Sequence, residues 1–192
     1  MLPRLAPCHT NYRSLYFSVN GSTKKFAEEI AEATQGDLFE IVPVQEYAEE
    51  DLRLSGAESR SLLEAHDKAA RPEISSKVTL MPQYDVVFVG FPIWWRIEPR
   101  IIDTFLESYN FAGKTIVPFV TSDGPVLKAG QKEVVETFGH LLAGIEREYG
   151  LGEIDEGLHA LLGPDVNWKP GKAMPTDHTA EDVRAWIEML GL

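Results

Sequence analysis

Leu15-Tyr16-Phe17-Ser18-Val19-Asn20-Gly21-Ser22-Thr23 joins a strand pattern to a helix pattern through a loop of small polar residues. It begins as a short apolar strand and runs into a loop of hydroxyl and amide residues. Directly behind the loop, Phe26, Ala27, Ile30, Ala31 and Thr34 recur at helical spacing, with Lys24, Lys25, Glu28, Glu29 and Glu32 on the opposite face. A strand, a turn and a helix start make an anion site, because the first helical amides lack partners and the helix dipole is positive there. Ser18, Ser22 and Thr23 add hydroxyl donors and Gly21 lets the backbone come close. The loop itself holds no Arg or Lys, so it would hold a phosphate with neutral donors. It is neither a Walker loop, which needs Gly-x4-Gly-Lys-Ser/Thr, nor a three-glycine dinucleotide loop. By itself the stretch is equally consistent with an ordinary helix start capped by Ser22 or Thr23.

The 192 residues fit one domain, with residues 1–13 an irregular lead-in. An apolar fraction of 44% and a charged fraction of 25% are those of a globular chain with material for a full core. No apolar run approaches the length of a membrane span, and residues 1–7 lack the apolar core of a signal peptide, so the cytoplasm is the expected compartment. A net charge of −12 argues against nucleic acid and suits either solubility or docking on basic partners. The single Cys8 excludes an intramolecular disulfide. His140, His159 and His178 have no Cys or Asp/Glu partner at ligand spacing, so no metal site is expected.

Working outward, the first strand is expected over Ser14 to Ser18, its helix closing at Gly36 as C-cap. A second strand covers Leu38 to Val42, which with that helix gives a βαβ unit and a parallel sheet. Tyr47 to Arg53 reads as acidic and irregular. Ser59 to Ala70 reads as a helix burying Leu62, Leu63, His66 and Ala69 or Ala70. Val86 to Gly90 is an unbroken apolar run, the mark of a strand buried on both faces. Ile101, Ile102, Phe105, Leu106 and Tyr109 mark the next helix, Thr115 to Val120 the fourth strand, and Val134 to Ile145 a further helix. A fifth, edge strand is expected within Glu153 to Leu162, a turn at Trp168 to Lys172, and a last helix opening on a Thr179/Asp182 capping box.

Three loops thus follow strands one, three and four: Ser18 to Thr23, Phe91 to Glu98, and Thr121 to Gly124. In an open parallel sheet they gather at the carboxyl edge, where ligands bind at a switch in strand order. The first suits a phosphate, the second carries the indoles of Trp94 and Trp95, and the third offers hydroxyls and backbone amides. Phosphate, flat ring and polar ring edge describe a mononucleotide with a large planar ring, and flavin mononucleotide (FMN) fits best.

On these motifs the chain resembles the flavodoxin-like family, in its short-chain, flavodoxin-4 form, over roughly residues 15–190. The likeness rests on Tyr-Phe-Ser-x-Asn-Gly-Ser-Thr-Lys at 16–24, Gly-Phe-Pro-Ile-Trp-Trp at 90–95, Pro-Arg at 99–100 and Thr-Phe-Leu-Glu-Ser-Tyr at 104–109. Gly-Lys-Thr-Ile-Val-Pro-Phe at 113–119 and Thr-Ser at 121–122 extend it. The resemblance implies a three-layer α/β sandwich on a five-stranded parallel sheet of order 2-1-3-4-5. It implies FMN held by Ser18, Asn20, Gly21, Ser22 and Thr23 at the phosphate. Pro92, Ile93, Trp94 and Trp95 would lie along the isoalloxazine and ribityl chain, with Thr121, Ser122 and Gly124 at the ring edge. Two places depart from the family pattern: Arg96-Ile97-Glu98 stands where a small residue usually follows the Trp pair, and Thr-Ser-Asp-Gly-Pro-Val replaces a glycine-rich loop, putting Asp123 beside the ring edge. The implied function is FMN-dependent electron transfer, as a flavodoxin-like carrier or a small reductase passing electrons from a reduced nicotinamide to a quinone-like acceptor, monomeric or homodimeric. The alternative is a degenerate domain that has lost flavin and serves as an interaction module.

Overall fold

The structure, a computed structural model, describes residues 10–52, 59–95, 97–121, 158–175 and 177–192. Four strands build the sheet in the order the sequence implies. They are β1 (Tyr12–Tyr16), β2 (Asp37–Glu40), β3 (Val86–Pro92) and β4 (Thr115–Thr121), and their spatial order is β2-β1-β3-β4 with every pair parallel. The helices are α1 (Ser22–Thr34), α2 (Arg60–His66), α3 (Arg100–Glu107) and α4 (Ala180–Leu190). Alternation along the strands sends side chains to two cores. Leu15, Phe17, Val87, Val89, Phe91, Ile116 and Val120 pack with Ile101, Ile102, Phe105 and Leu106 of α3. Tyr16, Val86, Phe88, Val117 and Phe119 pack on the other face with Phe26, Ala27 and Ile30 of α1 and Val183 and Trp186 of α4. That makes three layers around a doubly covered sheet.

β1 starts two residues before its expected position, inside the stretch read as lead-in. The polarity of its start has a structural cause: Arg13 lies over the Tyr84 ring at 4.2 Å, donates to the Tyr84 hydroxyl and pairs with Asp37 at 3.4 Å. At the far end of α1 the left-handed cap is Gln35, with φ 53°, rather than Gly36. Gly36 is needed for another reason, since a Cβ there would stand 2.7 Å from that of Tyr12.

The fifth strand lies elsewhere than expected. Residues 158–162 are helical, and residues 153–157 and the helix expected over 134–145 lie outside the described residues. The strand is instead formed by β5 (Asn167–Trp168) and β6 (Lys172–Met174), both parallel to β4, with Lys169-Pro170-Gly171 between them. The interruption has a reason in the partner strand. Lys114 and Ile116 turn their carbonyls toward β5, accepting from Asn167 and Lys169. Pro118 has the same parity, so its missing N–H falls on the side of this strand, opposite the break.

Candidate functional site

The carboxyl ends of β1 and β3 are neighbours, and β1 connects to α1 while β3 leads away on the other side, so the edge opens at the switch in strand order. At the end of β1 the N-cap of α1 is Gly21, in the left-handed region with φ 90°. The capped start by Ser22 or Thr23, left open by the sequence, does not form: Gly21 has no side chain to cap with. Nothing lies within 4 Å of where its Cβ would stand, so the loop is open on that side. Ser18 Oγ accepts from the Gly21 amide at 3.2 Å and Asn20 Oδ1 from the Ser22 amide at 3.1 Å, which fixes the loop's shape from within. Ser18, Asn20, Gly21 and Ser22 are therefore brought together at an uncapped helix start.

Thr23 turns the other way. It is 1% exposed, and its hydroxyl meets that of Thr121, at the end of β4, at 2.7 Å. This bond ties the first loop to the third. One of the pair's two hydroxyl protons serves the bond and the other remains a donor. The Ile93 amide in turn donates to the Thr121 carbonyl at 2.9 Å, which joins the second loop to the same point. Ser122, Asp123 and Gly124 lie outside the described residues, as does Arg96.

β3 runs through Pro92, two residues beyond its expected end, and remains paired there with Thr121. Trp94 and Ile97 then exchange two backbone hydrogen bonds of 3.0 Å in an antiparallel bridge. Within that bridge Trp95 stands in the left-handed region, with φ 52°. For a bulky residue this costs about 1–3 kcal/mol. The two indoles diverge. Trp94 meets Phe17 edge-on at 5.3 Å and Tyr47 edge-on at 4.9 Å, against the α3-side core. Trp95 is half-buried, and its indole N–H donates to Ser61 Oγ at 3.1 Å.

Behind this bridge stands a group of residues that sequence reasoning did not pick out. Tyr47, in the run read as acidic and irregular, is 8% exposed and wedged between Phe17 and Trp94. Its hydroxyl donates to Glu64 at 2.6 Å; burial, with that carboxylate adding, pushes the phenol well above its usual range. Arg60 lies over the Tyr47 ring at 4.0 Å and bonds Glu64 at 2.7 Å. A lone aromatic in an acidic run directly after a strand was the available signal.

α2 is shorter than expected and presents a different face. Ser61 is buried, whereas Leu63 is 56% exposed and His66 is exposed. The face was misread because its buried side meets polar partners. Ser61, Glu64 and Ala65 line one small crevice with Trp94, Glu98, Pro99 and Arg100. There Arg100 bonds Glu98 at 2.9 Å, Asp103 at 3.1 Å and the Ala65 carbonyl at 3.2 Å. Desolvation pushes Glu98 up to about 7, its own backbone amide opposing, Asp103 adding to the rise and Arg100 opposing it. Among the described residues, no three His, Cys, Asp or Glu side chains cluster as metal ligands, and no helix is long and apolar enough to cross a membrane.

Comparison with known proteins bears on this edge. The family model described as flavodoxin matches residues 13–145. A crystal structure from Bacteroides eggerthii, described as a flavoprotein, is 34% identical over 95% of this chain and 99% of its own, with a TM-score of 0.72. One from Bacteroides uniformis, also described as a flavoprotein, is 34% identical over 93% and 98%, with a TM-score of 0.70. A flavoprotein of Lactobacillus acidophilus solved in complex with FMN shares the fold at 18% identity, over 95% and 99%, with a TM-score of 0.57. No curated protein matches.

Proposed function

The chain belongs to the flavodoxin family, and on that premise we propose that it binds FMN at the carboxyl edge of its sheet and transfers electrons. The observation that carries the reading is the convergence of the three loops at Thr121, whose hydroxyl meets that of Thr23 from the first and whose carbonyl accepts from the Ile93 amide of the second. The residues present fit FMN. The first loop gathers neutral hydroxyl and amide groups at the start of α1, with open space beside Gly21, which suits a dianionic phosphate. Trp95, unlike Trp94, is not committed to the core and is the indole that serves the ring side.

Bound FMN supplies one- and two-electron chemistry, and the protein sets binding and potential. Ser18, Asn20, Gly21 and Ser22 anchor the phosphate end. Thr23 and Thr121 hold the phosphate side and the ring side in fixed relation. Trp94 and Tyr47 close the space behind the Trp95 turn against water. The net charge of −12 suits a carrier that docks on a basic redox protein.

The test separates a carrier from a reductase and both from an interaction module. Protein loaded with FMN and reduced chemically should pass electrons to a basic protein acceptor at a rate that falls as salt rises. Reduced nicotinamide alone should bleach the flavin slowly. Fast bleaching by nicotinamide with turnover of a quinone would make the chain a reductase. Colourless protein that ignores added FMN would make it an interaction module.

A further inference from the structure

The geometry points to Ser61 as the residue that positions the Trp95 indole at the ring side of the site, an inference that rests on the FMN reading above. Trp95 follows Trp94 inside the Trp94–Ile97 bridge, in a backbone conformation that aromatic residues rarely adopt. What holds it is the hydrogen bond from the indole N–H to Ser61 Oγ, 3.1 Å long, made to a serine that is 4% exposed.

Ser61 can do this because α2 is clamped on two sides. Toward the loop after β2, Glu64 accepts from Tyr47 at 2.6 Å and from Arg60 at 2.7 Å, and Arg60 also donates to the Gln45 carbonyl at 2.9 Å. Toward α3, Arg100 donates to the carbonyls of Glu64 and Ala65 at 3.4 and 3.2 Å. A seven-residue helix is too short to be rigid by its own hydrogen bonds, and these side chains supply the missing constraint. The same Tyr47 that grips Glu64 packs on Trp94, so α2 is tied to both members of the Trp pair: to Trp94 through Tyr47 and to Trp95 through Ser61.

An indole acts on a flat ring through its orientation, so loss of the bond should be felt at the ring and not at the phosphate. Ser61→Ala should weaken FMN and riboflavin alike, by about three- to tenfold. It should also change the induced circular dichroism of the bound flavin. In the flavin-free protein, the Trp95 indole N–H resonance, assigned through Trp95→Phe, should be protected from exchange in wild type and exposed in Ser61→Ala. In the Trp95→Phe background, Ser61→Ala should have no further effect on either affinity, because a positioning residue without its target has nothing to position.

Wild-type affinity and dichroism in Ser61→Ala would overturn the inference while leaving the FMN reading intact. An equal loss with and without the Trp95 indole would show that Ser61 acts on packing alone, which overturns it too. Wild-type protein that takes up no FMN would overturn the underlying reading and this inference with it.

Discussion

Ser18 and Thr23 are two hydroxyl residues of one loop with separate roles. Ser18 stands at the open face, while Thr23 is buried against Thr121. Ser18→Ala should therefore weaken FMN by about tenfold or more, the scale of one charge-assisted hydrogen bond, and leave riboflavin nearly unchanged. Thr23→Ala strands a buried Thr121 hydroxyl, which should cost about 1–3 kcal/mol of stability and weaken both ligands together. Calorimetric titration with the two ligands, beside urea unfolding, checks this; an FMN-specific loss in Thr23→Ala would place its hydroxyl at the phosphate. The loop's place between a strand and an amphipathic helix was legible in the sequence, whereas the residues alone left an ordinary capped helix start equally open. Its division of labour was also present there, since Thr23 shares the helical phase of Phe26, Ala27 and Ile30. The Trp pair was legible as part of the loop that follows the third strand. Which indole turns inward depended on Tyr47, a residue far off in sequence.

Elements were readable in proportion to their length. β3 and β4, buried on both faces, announce themselves as unbroken apolar runs, and α1 and α3 carry clean helical periods. β5 and β6, with two and three residues, have too few positions to show alternation, and the missing amide of Pro118 that bounds them lies on another strand. α2 was placed but turned wrongly, because its buried face is held by polar bonds instead of apolar contacts. That region also carries the clearest pH dependence. Glu98, at the junction of the Trp turn and α3, has its folded-state pKa raised from 4.5 to about 7, chiefly by desolvation. A raised carboxylate means the folded state binds the proton more tightly. Its contribution is therefore full below about pH 4.5 and lost as pH rises through about 7. The span corresponds to at most about 3 kcal/mol. Urea unfolding at pH 5 and pH 8 should show wild type losing stability relative to Glu98→Gln across that interval. Parallel behaviour of the two proteins would mean that Arg100, 2.9 Å away, keeps the carboxylate ionised throughout.

At the scale of the whole molecule, the strand order is the one the family resemblance implies, and it agrees with the rules for parallel strands with both faces covered. The site follows from the order, because β1 and β3 become neighbours and bring the hydroxyl loop and the Trp turn to one edge. What the sequence could not supply was the linkage between loops, the Thr23–Thr121 and Ile93–Thr121 bonds, since these join positions distant in the chain. Those bonds join the three loops into one site for FMN. Titration of flavin-stripped protein with FMN, followed by indole emission and the visible flavin bands, measures that binding. The expected result is saturation at one FMN per chain with quenched tryptophan emission, and weaker uptake of riboflavin, which lacks the phosphate. Emission and flavin spectrum that remain those of the separate components at millimolar FMN would contradict it.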